Sequence, residues 1–150
     1  MATSLDILAP APSVGTSPRS ATNEHLEKLS VALLNIVNTK DFDDPVLQHL
    51  SPMYKSIYDW NIYTHTREQY IQNVKDITRL NPEYHLEMLN TSSDVNEVTS
   101  KGSVWITHRK TGFPDDGLGR ECVKLMTWSR NRGWWICMGH VGLRGSGVLW

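Results

Sequence analysis

Around Asn81-Pro82 the chain changes its hydrophobic period, and that change limits the possible folds more than any other feature. Upstream, Leu26, Leu29, Leu33, Ile36 and Val37 recur at three- and four-residue spacing, which is one face of an amphipathic helix. Asn23 or Thr22 can cap its start, and Glu24 sits favourably in its first turn. The stretch TKDFDDP ends this helix as a solvated turn. Asp44-Pro45 predicts a second, short helix, since Asp caps and Pro is tolerated at the first helical position; Val46, Leu47 and Leu50 give its apolar face. After Ser51-Pro52, MYKSIYDW reads as an extended, aromatic-rich segment. Thr66 and Gln69 have the spacing of a capping box, in which each side chain serves the other's orphan amide. They open a third helix whose inward stripe is Tyr70, Val74 and Ile77, and Asn81-Pro82 closes it.

Downstream the period is two. EYHLEML, GSVWITHRK, GRECVKLMTWS and WWICMGHVG are runs of strand formers separated by the turns NTSSD, GFPDDGLG and RNRG. Short turns between consecutive strands predict an antiparallel meander. Helices first and a sheet afterwards define an α+β chain with the helices packed on one sheet face. Residues 1–21, rich in Ala, Pro, Ser and Thr, cannot bury enough apolar surface to offset ordering entropy and read as a flexible tail. Residues 22–150 then form a single domain, which a length of 150 residues accommodates.

Composition narrows the function classes. The net charge of −1 hides an acidic first two-thirds and a basic last third carrying eight Lys/Arg against three Asp/Glu. Those cations are spaced out rather than clustered, which argues against nucleic acid. No apolar run approaches a membrane span, and the first residues lack the basic and apolar regions of a secretory signal, so a cytoplasmic address is expected. Cys122 and Cys137 then read as reduced, buried thiols. The six histidines show no HxH or HExxH spacing and the cysteines no CxxC, so no metal is expected. No G-x-S-x-G elbow or P-loop appears, and LRGSG lacks the following helix of a dinucleotide fingerprint; no cofactor is expected.

Four segments carry a resemblance: NTKDF after the first helix, LSPMY before the first strand, NPEYH entering the sheet, and RGWWICMGH as the last strand. In this order they resemble the NTF2-like superfamily, which includes SnoaL-like polyketide cyclases, ketosteroid isomerases and scytalone dehydratases. The resemblance covers roughly residues 23–145. It implies a cone-shaped α+β fold, N-terminal helices on a curved, mostly antiparallel sheet, and a deep apolar pocket lined by inward strand positions. Compared with scytalone dehydratases, two pocket histidines fall on His85 and His108 and one tyrosine on Tyr58. Their aspartate is replaced by Asn38 and the tyrosine beside it by Val37.

The resemblance thus implies Tyr58, His85 and His108 as catalytic groups. Imidazole exchanges protons near neutral pH, and a phenol stabilises a developing enolate. Asn38 can donate to a carbonyl but cannot act as a base. Side chains two apart share a sheet face, so Ile136, Met138 and His140 point together. On the strand before, Cys122, Lys124, Met126 and Trp128 share one face while Glu121, Val123, Leu125 and Thr127 share the other. By similarity the pocket takes the Lys124 face, although a one-residue slip exchanges Lys124 for Glu121. With Tyr54, Trp105, Met126, Trp128, Met138 and His140 added, the expected substrate-binding lining is Asn38, Tyr54, Trp105, Lys124, Met126, Trp128, Met138 and His140. Trp134 and Trp135 are expected to anchor the last strand on opposite faces.

Such a lining suits an aromatic or polycyclic intermediate of secondary metabolism, as in many fungal members of the superfamily. The expected activity is a cofactor-independent isomerase, cyclase or dehydratase acting on a hydrophobic small molecule, with a homodimer formed through the outer sheet face. The alternative is a binding or protein-interaction module on the same scaffold, because this fold does not fix one reaction.

Overall fold

The computed structural model describes residues 20–58, 61–112 and 120–144. The expected tail and most of the turn GFPDDGLG lie outside these residues. The elements run α1 (Ala21–Thr39), a 3-10 turn (Pro45–His49), β1 (Leu50–Tyr58), β2 (Asn61–Thr64), α2 (Arg67–Leu80), β3 (His85–Asn96), β4 (Lys101–Thr111), β5 (Arg120–Asn131) and β6 (Trp134–Arg144). The six strands form one curved, open sheet in the order β2-β1-β6-β5-β4-β3, with both helices packed on it. The fold class is α+β. Among the described residues no helix is long and apolar enough to cross a membrane.

Local chemistry explains the element ends. Ser20, not Thr22 or Asn23, caps α1: its side chain accepts from the Asn23 amide at 3.2 Å. Asn23 instead reaches across to Ser93 Oγ at 2.9 Å. Asp44 accepts from Val46 N at 2.9 Å with Pro45 at the first helical position. Thr66 accepts from Gln69 N at 3.1 Å, but the Gln69 side chain returns to His65 N rather than to Thr66. In the two-residue connection between β5 and β6, Arg132 and Gly133 both have positive φ, 54° and 78°. That is the mirror-image turn whose twist matches a hairpin, and Gly133 adopts it without strain.

β4–β5 and β5–β6 pair antiparallel, whereas β1 lies parallel to β6. Register assigns the faces. Gly102, Val104, Ile106 and His108 of β4 stand opposite Trp128, Met126, Lys124 and Cys122 of β5, and all of them turn toward the helices except where Gly102 has no side chain to turn. Leu26, Leu33, Leu34, Ile36 and Val37 of α1 and Tyr70 and Val74 of α2 close over this face to make the core. Trp128, fully buried, donates its indole N–H to Ser30 Oγ at 3.0 Å. Trp134 is exposed and stacks on His49, while Trp135 is buried.

NTSSD is strand rather than turn: it continues β3, and the chain reverses after Asn96. Its inner side chains are polar because their partners are on α1. Glu27, buried beneath that helix, accepts from Thr91 Oγ1 at 3.1 Å and from Ser93 Oγ at 2.5 Å. A buried carboxylate requires such donors, so β3 exchanges apolar packing for hydrogen bonds here.

Candidate functional site

The inward residues of β1, β4, β5 and β6 converge on His140. Its ring is 2% exposed. Tyr54 Oη lies 2.5 Å from Nδ1, and Tyr58 Oη lies 2.9 Å from Nε2. The Tyr70 ring, from α2, meets the imidazole edge-on with centroids 5.6 Å apart. Tyr58 is itself half-buried and lies over Gly142; a Cβ there would come within 2.6 Å of the phenol ring, so glycine makes room for it. Lys124, 6% exposed, places its side-chain nitrogen 5.3 Å from the centroid of Tyr58. His108 is 2% exposed, and among the described residues neither of its ring nitrogens has a hydrogen-bond partner.

Burial sets the protonation states. It drives His140 well below the ordinary imidazole value, with Lys124 and His108 adding to the effect. The same cause, helped by Lys124 and Lys110, brings His108 down to about 3. Burial also lowers the Lys124 amine, against the opposing influence of Tyr70 and Cys122. Tyr54, Tyr58 and Tyr70 are all pushed upward by desolvation and stay protonated phenols. Cys137 rises to about 12 for the same reason. Cys122 and Cys137 are free thiols.

A neutral imidazole carries one N–H and one acceptor nitrogen. Between two phenols, two arrangements are therefore open to His140. If Nδ1–H donates to Tyr54, Nε2 accepts from Tyr58. If Tyr54 donates to Nδ1, Nε2–H donates to Tyr58, whose own hydrogen is then free for a ligand. The tautomer decides whether Tyr58 donates or accepts.

Several expected site residues lie elsewhere. His85 is exposed on β3, and Leu86 is the inward residue beside it. Hence Tyr58, His85 and His108 do not converge. Asn38 is occupied by the backbone: it accepts from Leu86 N at 2.9 Å and donates to Leu86 O at 2.8 Å, tying α1 to β3. Trp105 is 37% exposed on the outer face, opposite Leu125. It cannot share a face with His108, three residues away on an unbulged strand. Met138, 45% exposed, also points outward. A register shift beside Thr127 and Trp128 leaves Met138 unpaired between Cys137 and Gly139, so Cys137 and His140, three residues apart, both turn inward. Lys124 faces inward, and Glu121 faces outward to Arg109, which also bridges to Glu87. Met126 and Trp128 share the inward face but lie in the packed core. Tyr54 stands in the cluster; Tyr70, read only as a helix stripe residue, joins it.

If Asn38 is a clamp, Asn38→Ala should lower stability by about 2 kcal/mol. Two unmatched backbone groups cost roughly 1–3 kcal/mol each, offset by alanine's better helix propensity. Urea titration checks this, and a loss below about 0.5 kcal/mol would contradict it.

Among the described residues no group of three His, Cys, Asp or Glu side chains is placed to hold a metal ion. No protein-family profile and no curated protein sequence matches the chain. Solved structures do. An uncharacterised protein of cystatin-like fold from Caulobacter vibrioides superposes with a TM-score of 0.70 at 10% identity, over 82% of this chain and 89% of that one. Aln2 from a Streptomyces species gives 0.63 at 11% identity, over 85% and 94%. A proposed ketosteroid isomerase from Shewanella frigidimarina gives 0.62 at 6% identity, over 77% and 91%. The chain therefore has the NTF2-like, cystatin-like fold. Most of the similar structures are of proteins without an assigned function.

Proposed function

We propose that the protein is a cofactor-independent acid–base enzyme that enolises, isomerises, cyclises or dehydrates an aromatic or polycyclic carbonyl compound of secondary metabolism. The observation that carries this reading is His140 held between the hydroxyls of Tyr54 and Tyr58. Tyr58 is the half-buried end of that chain and the group that meets the substrate oxygen. A phenol kept neutral by burial is a fixed donor toward charge that develops only in the transition state. His108, neutral and with both nitrogens unpartnered, stands on the same face to take up the proton. Its depressed basicity makes it a weak base, so the carbonyl must be strongly polarised first.

A test needs no knowledge of the natural substrate. In D2O, the protein should accelerate hydrogen–deuterium exchange at the carbon next to the carbonyl of 2-tetralone, followed by proton NMR. Exchange no faster than with the acid-denatured chain would remove the enzymatic reading. One observation favours the alternative, a binding module: both nitrogens of His140 already have partners.

The same proposal includes a homodimer through the outer sheet face, where Trp105, Leu125 and Val141 form one row across β4, β5 and β6. A solution mass near twice the 17.1 kDa of one chain is expected by sedimentation, and a monomeric mass would contradict it.

A further inference from the structure

Lys124 is a buried amine that the acid–base reading leaves without a task. Its neighbours are the Tyr58 ring, the Tyr70 phenol, the Cys122 thiol and two neutral imidazoles; among the described residues no carboxylate forms an ion pair with it. Burying an ammonium without a counter-charge is costly, and the group sheds its proton instead. A desolvated lysine of this kind is a nucleophile. His108 is its diagonal neighbour on the same sheet face, since Lys124 pairs with Ile106 and His108 with Cys122. Both nitrogens of that ring are buried and have no partner among the described residues, so a ligand's polar group has a place to pair there.

We propose that Lys124 captures aromatic aldehydes or ketones as an imine, with His108 and Tyr58 handling the protons. The amine lone pair attacks the carbonyl carbon, and the carbonyl π pair moves to oxygen. One nitrogen proton passes to that oxygen through His108, giving a carbinolamine. Protonation of its hydroxyl, with Tyr58 as the donor, expels water as the nitrogen lone pair forms the C=N bond. The nitrogen's remaining proton returns to Tyr58. The balance is amine plus carbonyl to imine plus water, with no oxidant or reductant. Before that proton leaves, the protonated imine has the face of Tyr58, 5.3 Å from the lysine nitrogen, as a partner for its positive charge. An iminium also acidifies the adjacent carbon, which supplies the activation that a weak base such as His108 requires. The proposal rests on the placement of Tyr58 and His108 in the acid–base reading but not on its turnover.

The probe is 2-naphthaldehyde, which has no enolisable hydrogen, incubated with the full chain and sodium cyanoborohydride at neutral pH. Peptide mapping locates the reduced adduct. Lys124 should be labelled severalfold faster than exposed Lys28, Lys40 or Lys55, as a lowered pKa leaves more of the amine free at neutral pH. The groups that act on its titration are Tyr70 of α2 and Cys122 of β5; Lys124 in turn acts on His108 and His140. His108→Leu should slow the labelling while leaving its site unchanged. Labelling of Lys124 no faster than of the exposed lysines overturns the proposal, whether or not Lys124→Met folds. An adduct without exchange on 2-tetralone would remove the acid–base reading alone. Exchange without an adduct would remove imine capture alone.

Discussion

Tyr58→Phe should lower the exchange rate on 2-tetralone by roughly a hundredfold, the usual consequence of removing one donor from an oxyanion site. The substitution deletes a single oxygen and leaves the ring against Gly142 and its edge toward His140. It also leaves Nε2 of His140 without its partner at 2.9 Å, a loss of about 1–3 kcal/mol in stability. The two effects separate cleanly. A destabilised but folded variant retains its rate per folded molecule, whereas loss of the transition-state donor does not. The loss should appear in kcat rather than in KM, because the interaction strengthens only as charge develops on oxygen. An unchanged rate per folded molecule would leave the Tyr54–His140–Tyr58 chain as core packing. The binding-module reading would then stand.

In His85-Leu86-Glu87-Met88 the apolar residues alternate with polar ones, and period two alone places His85 outward with Glu87. The resemblance to scytalone dehydratases pointed the other way, and the local pattern prevailed. Trp105 and His108 were likewise incompatible by parity alone. The direction of β5 required more than a pattern: Met126 and Trp128 are buried on the inner face, which leaves Glu121 outward, where Arg109, between it and Glu87 in register, bridges both carboxylates. Met138 was beyond sequence reasoning. Its bulge reconciles antiparallel pairing to β5 with parallel pairing to β1, and neither constraint is local. The polar inner face of β3 was hidden for the same reason, since Glu27 and Asn23 lie 64 to 70 residues from their partners.

The mismatch at His85 also changes what kind of site this scaffold holds. The resemblance implies two histidines, His85 and His108, converging with Tyr58 on one cavity. Instead one histidine, His140, lies between two tyrosines, and His108, without a partner among the described residues, stands beside a lysine. Two imidazoles in water would share acid and base roles near neutral pH. Buried beside Lys124, neither is set up to be an acid, so proton donation falls to the phenols.

Acid should unfold this domain earlier than its size suggests. His108 and His140 are neutral when folded, and both take up a proton on unfolding once the pH is below the ordinary imidazole value of 6.5. The folded values are depressed, so their stability contribution is complete above 6.5 and is lost as the pH falls, for His108 down to about 3. Each group contributes about 1.4 kcal/mol per pH unit inside that window, and the pair nearly doubles the slope. Lys124 has the same sign at the alkaline end, because its folded value is also depressed, below 10.5. A domain of about 5 kcal/mol at neutral pH would reach its midpoint roughly two units below the imidazole value. Urea midpoints between pH 7 and pH 5 measure the slope. His108→Leu should halve it, and at neutral pH the variant should be no less stable, since an apolar side chain replaces a buried ring with two unpartnered nitrogens. A slope that Leu at this position leaves unchanged would mean that His108 is already protonated in the folded chain. It would then be a cation beside Lys124, and the proton-accepting role assigned to it would have to move to another group.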